Sequence, residues 1–541
     1  MGMSFWVSIL SLRMAPLVGS VCAAVVIVLA WQGHPAGTGL IAFIVFVALI
    51  LLGVYDLLQT EHSILRNYPI LGHLRFLLED IRPEIRQYFL EDETQGYPFS
   101  RNKRAVIYQR AKNNLDKRPF GTQLDVYEEG FEWLSHSIAP AAVSSHDFRV
   151  RVGGPQCRQP YDASLFNISA MSFGALSANA LLALNAGARS GGFAHNTGEG
   201  GLSPYHRVHG GDLIWEIGSG YFGCRTPDGR FDPDSFSQHA RIDQVKMIEI
   251  KLSQGAKPGH GGLLPAAKVS AEIARIRGVR MGEDCVSPAT HSAFSTPIEL
   301  LRFVDRLREL SGGKPVGFKL CIGRPGEFLA ICKAMLEIGI LPDFITVDGK
   351  EGGTGSAPLE FMDHIGMPMR EGLAFVHHAL TGIGLREQIR IAVSGKIATG
   401  FDIARASALG ADWCYSARGF MFALGCVQSL KCHTDRCPTG VATQDPARAR
   451  ALVPALKADR VRNYHRETMI ALSELTAAAG VAHPRELQAR DFYLRISENQ
   501  IVTLDQLYPR PVVGAFLNGD VDDLLAQAWR AARADSFRAA R

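Results

Sequence analysis

Cysteine is sparse in this chain, and neither sign of charge much outweighs the other. The 10 cysteines are scattered over 541 residues apart from one cluster. That excludes a disulfide scaffold and fits a reducing compartment with one dedicated cysteine site. The 57 Lys and Arg nearly balance the 53 Asp and Glu, and the charges are interspersed. No basic block with interleaved aromatics occurs, so the footprint of a nucleic-acid binder is lacking and no nucleic-acid partner is expected. No G-x-G-x-x-G follows a strand-like run, which excludes a Rossmann dinucleotide site. Disorder is excluded as well, because hydrophobic residues make up 47% and charged residues 20% of the chain.

Two long apolar runs lie near the N-terminus. Residues 15–31 read APLVGSVCAAVVIVLAW and residues 39–58 read GLIAFIVFVALILLGVYDLL. The second has 17 residues before its first charge, Asp56. Spanning a bilayer takes about 20 residues. The expectation is a two-helix transmembrane hairpin over residues 1–60. The link WQGHPAGT has no Lys or Arg, whereas Arg66, Arg75, Arg82 and Arg86 follow the second run. By the positive-inside rule both termini are cytoplasmic, which predicts a multi-pass protein of the inner or plasma membrane with its main domain in the cytoplasm. Residues 61–159 read as a juxtamembrane mixed segment, with an amphipathic helix broken at Pro83.

From about residue 160 the pattern changes. Short β-rich runs recur, each ending in small or polar residues: 165–172, 191–196, 247–252, 284–287, 315–320, 343–348, 390–394 and 412–417. Helical patterns lie between most of them. Alternating strands and helices predict a parallel sheet, and eight units over about 260 residues predict an α/β fold of the (β/α)8 barrel type. The barrel is expected over residues 160–480, with 481–541 as a C-terminal cap.

Barrels carry their chemistry where strands end and loops begin. Glu199 follows the second predicted strand; Lys251, Gln254 and Lys257 lie at or after the third; His291 follows the fourth; Lys319 sits on the fifth. A polar side chain in an apolar strand costs free energy unless paired. One such lysine is ordinarily a satisfied rim residue, whereas several on one face point to a site. The loops DGKEGGTGS, SGKIATG and ARG (348–356, 394–400, 417–419) let backbone N–H groups approach a ligand closely. Phosphate commonly binds there in barrels, with Lys396 and Arg418 placed to help. With a phosphorylated cofactor at these loops, Lys319 would meet the electron-rich edge of a flavin ring. Residues 425–444, GCVQSLKCHTDRCPTGVATQ, hold Cys426, Cys432 and Cys437 in a C-x5-C-x4-C array. Three thiols fall short of the four that zinc wants, unless His433 is the fourth, and buried free thiols are the plain alternative.

Taken together, MSFGALS, NTGEGG, IKLSQGAKPGHGG, SGKIATG and the cysteine array resemble the synthase domain of glutamate synthases over about residues 160–480. The resemblance implies that the barrel binds FMN and that Cys426, Cys432 and Cys437 hold a [3Fe-4S] cluster. It implies FMN contacts at Ser172, Gln254, Lys319, Gly353 and the turn Ser394, Gly395, Lys396, with Arg418 and Gly419 beside them. It further implies that Lys251 and Lys257 hold substrate carboxylates, with Glu199 orienting the substrate or moving a proton. The implied reaction reduces 2-iminoglutarate, formed from 2-oxoglutarate and ammonia or an amine, to L-glutamate or an N-substituted glutamate. That makes the chain an oxidoreductase acting on CH–NH2 donors.

Two motifs depart from that family. GHGG puts His260 where members commonly carry a carboxylate, and SPATHSA keeps one histidine, His291, while losing the acid. The chain begins Met1-Gly2, so no N-terminal cysteine nucleophile of a glutamine-hydrolysing domain is expected. The electron donor is expected to be a separate protein, a ferredoxin or a reductase subunit. Two other readings compete. A 2-hydroxy-acid dehydrogenase would carry a His–Arg pair after strand seven, where this chain reads SGKIATG. A non-catalytic membrane-tethered electron carrier or scaffold would not need Lys251, Lys257 and Glu199.

Overall fold

The computed structural model describes residues 12–30, 37–94, 96–117, 119–509 and 512–538. The chain forms two compact units, Met1–Asp92 and Glu93–Arg541.

In the first unit, helix Ala15–Ala30 packs along helix Gly37–Leu58. Among the described residues one helix is long and apolar enough to cross a membrane: Thr38–Leu58, 21 residues at a mean hydropathy of 2.7. Helix Ala15–Ala30 has 16 residues, about 24 Å at 1.5 Å per residue and short of a hydrocarbon core of about 30 Å. The expected hairpin, and with it the multi-pass topology, is therefore corrected to one helix of spanning length. Residues 31–36 of the link lie outside the described residues. Pro83 does not break the following helix either. Leu71–Ile85 runs through it and continues as a π-turn over Arg86–Leu90. The wider turn comes just after the position where proline removes a helical hydrogen bond.

The second unit is built on a closed barrel of eight parallel strands. They are β1 (Phe166–Ile168), β2 (His195–Asn196), β3 (Leu213–Ile217), β4 (Val245–Lys251), β5 (Val316–Leu320), β6 (Phe344–Asp348), β7 (Arg390–Ser394) and β8 (Trp413–Ser416). Each pairs with the next in sequence, and β8 closes on β1 with Cys414 opposite Phe166. Strands 3 to 8 are nearly all buried, as expected of a parallel sheet covered on both faces. Two expectations about the strands are corrected. The run Cys285–Val286 is not a barrel strand; it pairs antiparallel with Leu263–Leu264 in an excursion after β4. The true third strand, LIWEI at 213–217, went unread, so MIEIKL is the fourth strand and not the third.

Helix Pro454–Ala478 packs on helices Ala178–Gly191, Arg101–Ala111 and Gly400–Ala408. Strand Glu132–Leu134 joins the hairpin Phe492–Ser497/Gln500–Thr503, with Trp133 stacked on Tyr493 at 5.3 Å. Helix Asp523–Ala531 covers helix Pro325–Ile338, and Lys333 Nζ donates to the Ala532 carbonyl at 2.8 Å.

Candidate active site

A cleft partly open to solvent lies at the C-terminal ends of the strands. Loops after β1, β2, β4, β6 and β8 supply its walls. They bring Ser172, Glu199, Lys251, Gln254, Lys257, Gly353, Arg418 and Cys432 to one space. These residues come from five separate loops; parallel strands of matched length place those loops at one rim.

Lys251 ends β4, and its ammonium pairs with Glu199 Oε1 at 2.9 Å. Burial alone would raise the Glu199 carboxyl, but the charges of Lys251, Arg277 and Lys257 together outweigh it and hold the group below its ordinary value, ionised. Behind Lys251, His291 Nε2 meets the Lys251 carbonyl at 2.8 Å and Nδ1 meets Tyr221 Oη at 3.0 Å. Burial drives His291 down to about 4, so the ring is neutral. It braces the end of β4 and does not line the cleft. His260 is exposed outside the cleft, edge-on to Phe361.

Lys257 is only 2% exposed, and its ammonium has no ion pair among the described residues. Burial lowers its pKa, partly offset by Glu199. A buried cation without a counter-ion is costly, so this position is built to receive an anion. Arg418, at the start of the helix after β8, likewise has no ion pair among the described residues and lies against Gly353. A Cβ on Gly353 would come within 2.7 Å of the guanidinium.

Lys319 lies beneath the cleft. It is paired with Glu216 and stands 3.6 Å from Glu249. Glu216 and Glu249 face each other in the β3–β4 register. Asn196 Nδ2 (2.8 Å) and Thr346 Oγ1 (2.6 Å) donate to Glu249. Burial lowers the Lys319 pKa, but Glu216 and Glu249 outweigh it and hold the ammonium charged. Burial raises Glu249 to about 7 against the pull of Lys319. Glu216 lines the cleft and was missed because its strand was missed. A signal was present: an apolar Leu-Ile-Trp run bounded by HGGD and GSG.

The turn after β7 is outside the cleft lining. Ser394 Oγ bonds Asp348, and Asp348 Oδ2 accepts from the Gly255 N–H at 2.8 Å, so one carboxylate ties three loops together. Gly395 is fixed by packing, since a Cβ there would sit 2.6 Å from Met369 Cβ. Lys396 has a left-handed φ of 54° and lies over Tyr97 at 5.7 Å. A Cβ on Gly419 would strike Tyr464 Oη.

Of the three array cysteines, Cys432 lines the cleft, Cys426 is half-buried and Cys437 is buried. Burial pushes Cys426 up to about 11. Burial pushes Cys437 up too, but hydrogen bonds from the backbone at Ala442, Thr439 and Val441 and from the Thr439 hydroxyl outweigh it and hold the thiol below its ordinary value. Lys268, 3% exposed, donates to the Ala442 carbonyl at 3.0 Å and feels both Cys432 and Cys437. Convergent amides and a nearby ammonium fit Cys437 to a thiolate ligand. Gln428, Leu430 and Asp435 take left-handed backbone in this loop. Among the described residues, no group of three or more His, Cys, Asp or Glu side chains is drawn together to hold a metal ion. Lys268 and Arg277 also line the cleft unpredicted, because basic residues on short helices carry no distinguishing pattern.

An eight-stranded parallel barrel whose C-terminal rim carries cations without an ion pair among the described residues defines an α/β-barrel protein with a cleft suited to an anion. More particularly, the chain belongs to the glutamate synthase family, since the model of the conserved region in glutamate synthase matches residues 156–482. The chain is 39% identical over 517 residues to the glutamate synthase large subunit-like protein YerD of Bacillus subtilis, covering 86% of this chain and 98% of that one. It is 36% identical over 329 residues to an archaeal glutamate synthase [NADPH] of Methanocaldococcus jannaschii, covering 61% of each. It spans 21% of the glutamate synthase [NADPH] large chain of Bacillus subtilis, at 32% identity over 342 residues and 62% of this chain. Among solved structures, a flavocytochrome b2 variant with sulfite bound aligns at a TM-score of 0.42 and 12% identity, covering 79% of this chain and 83% of that one. At that score the likeness decides nothing about the site.

Proposed function

We propose that this chain is an FMN and iron–sulfur oxidoreductase of the glutamate synthase type. Its reaction reduces 2-iminoglutarate, from 2-oxoglutarate and ammonia or an amine, to L-glutamate or an N-substituted glutamate. The observation that carries this reading is the buried Lys257, without an ion pair among the described residues, beside the Lys251–Glu199 pair in a cleft at the barrel rim.

Two cations a few residues apart suit a dicarboxylate. Lys257 receives one carboxylate without breaking any existing pair. Lys251 receives the other by exchanging Glu199 for it. Glu199, held ionised, then accepts an N–H from ammonia or the imine and orients the nitrogen. Neutral His291 keeps Lys251 in place throughout.

Ser172, Gln254, Gly353 and Arg418 would hold FMN, with Lys319, the Ser394–Lys396 turn and Gly419 supporting them. Arg418, with no ion pair among the described residues, suits the phosphate. Cys426, Cys432 and Cys437 would hold the [3Fe-4S] cluster, favoured by the amides on Cys437 and by Lys268. When bound, the flavin supplies the two-electron reduction and the cluster supplies it with single electrons. A separate ferredoxin or reductase subunit is the proposed donor. Helix Thr38–Leu58 is the proposed single anchor in the inner or plasma membrane, with the barrel on the cytoplasmic side.

The test is anaerobic purification with optical and EPR spectra and with FMN, iron and sulfide quantified. Turnover follows, using 2-oxoglutarate with ammonia or amines and a chemical reductant. Flavin, a [3Fe-4S] signal and glutamate formation are the expected results. Protein that carries flavin, with no iron and no turnover, would overturn the reading.

A further inference from the structure

Helix Leu71–Ile85 is turned inside out. At 3.6 residues per turn, Leu71, Leu74, Leu78, Ile81 and Ile85 recur on one stripe, with Leu77 beside it. A helix on a water-soluble body turns such a stripe inward. Here the opposite face is the packed one. Gly72 is buried on Leu65, and Phe76 lies against His62 at 5.5 Å. His73 Nε2 meets Asp56 Oδ1 at 2.8 Å. The apolar stripe is therefore left outside, with Leu71, Leu74, Leu77, Leu78 and Ile81 all exposed. The π-turn extends it with Phe89, 83% exposed, and Leu90, 75% exposed.

Two further features indicate what covers the stripe. Asp56, fully buried in the last turn of the spanning-length helix, accepts from the Ile70 N–H at 2.9 Å as well as from His73. The inverted helix is thereby pinned at the level where that span ends. Arg75, Arg82 and Arg86 project along one margin of the stripe, and Arg82 and Arg86 make no ion pair among the described residues. An apolar face edged by guanidinium groups, one paired with Glu79 and two without an ion pair among the described residues, matches the acyl–headgroup boundary of an anionic bilayer.

We propose that residues 71–90 form an interfacial helix lying in the headgroup layer of an anionic lipid surface, apolar stripe down. The proposal rests on reading Thr38–Leu58 as a membrane anchor. It adds a second attachment that fixes the chain leaving the membrane against the surface.

The test uses the full chain reconstituted in phosphatidylcholine–phosphatidylglycerol vesicles. Tryptophan is introduced by Leu78→Trp, Phe89→Trp or, on the polar side, Asp80→Trp. Quenching of the added fluorescence by brominated lipids is then measured against the parent chain. For L78W and F89W the expected quenching is about twofold or more above D80W, and strongest with shallow bromines at a depth of about 5–10 Å. Adding Leu74→Asp and Ile81→Asp to F89W should abolish the excess. Equal quenching at all three positions, in a chain that alkaline carbonate does not release, overturns the interfacial helix and leaves the anchor standing. Release of the parent chain by carbonate overturns the anchor reading itself.

Discussion

The floor of the barrel and the wall of the cleft above it treat charge in opposite ways. On the floor, Lys319 is enclosed by Glu216 and Glu249, and every member is buried and bonded. On the wall, Lys257 is as deeply buried but has no ion pair among the described residues, and Arg418 likewise has none. Buried charge is tolerated when paired and costly when not. The floor is thus finished by the protein alone, whereas the wall is finished by a ligand. The Lys251–Glu199 pair stands between these extremes, closed now and able to exchange.

The contrast can be broken most forcefully at Lys319. Lys319→Met leaves two buried carboxylates facing each other and is expected to cost about 3–5 kcal/mol of stability. Urea unfolding measures it; a loss under 1 kcal/mol would mean the floor is not a closed ion cluster.

Lys257→Met should do the reverse. Removing an unpaired buried cation leaves stability equal or higher, while loss of a charged hydrogen bond of about 1.5–3 kcal/mol weakens use of 2-oxoglutarate some tenfold to a hundredfold. Steady-state kinetics beside a thermal melt separates the two effects. Unchanged kinetics would sink the substrate assignment.

Arg418→Ala is expected to weaken FMN binding by about tenfold, near 1.4 kcal/mol, with little change in the fold. Flavin titration reads this directly, and unaltered affinity would remove Arg418 from the phosphate site.

The smallest effect is a titration of the floor. Glu249 is raised from an ordinary 4.5 to about 7, chiefly by burial. A carboxyl with a raised folded pKa stabilises fully below its unfolded value and loses that contribution as pH rises through the folded one. Wild-type stability should therefore fall relative to Glu249→Gln between about pH 5 and 7, by at most about 1.4 kcal/mol per pH unit. Parallel stability curves for the two proteins would show that Glu249 stays ionised throughout.

Much of this architecture was legible in the chain. Strand–helix alternation gave the barrel, the residues and loops at the strand ends gave Glu199, Lys251, Gln254, Lys257, Gly353 and Arg418 of the cleft lining, and the family resemblance and the cysteine array added Ser172 and Cys432. The count of eight strands came out right through two errors that cancelled. Cys285–Val286 resembles a strand locally, but the excursion after β4 places it outside the sheet. LIWEI, an apolar run bounded by turn residues on both sides, is the true third strand that fills its place.

Periodicity and turn chemistry are local properties, so they specify the barrel, the spanning-length helix and the lysines at strand ends. Which of those charges are paired is settled by contacts between distant segments. Lys319 and Lys257 look alike in sequence. Register across β3, β4 and β5 gives the first two carboxylates, while the loop after β4 carries the second into the cleft with no ion pair among the described residues. The same holds for helix Leu71–Ile85. Its stripe was readable, but the direction it faces was fixed by Asp56 and His73, partners brought together by folding.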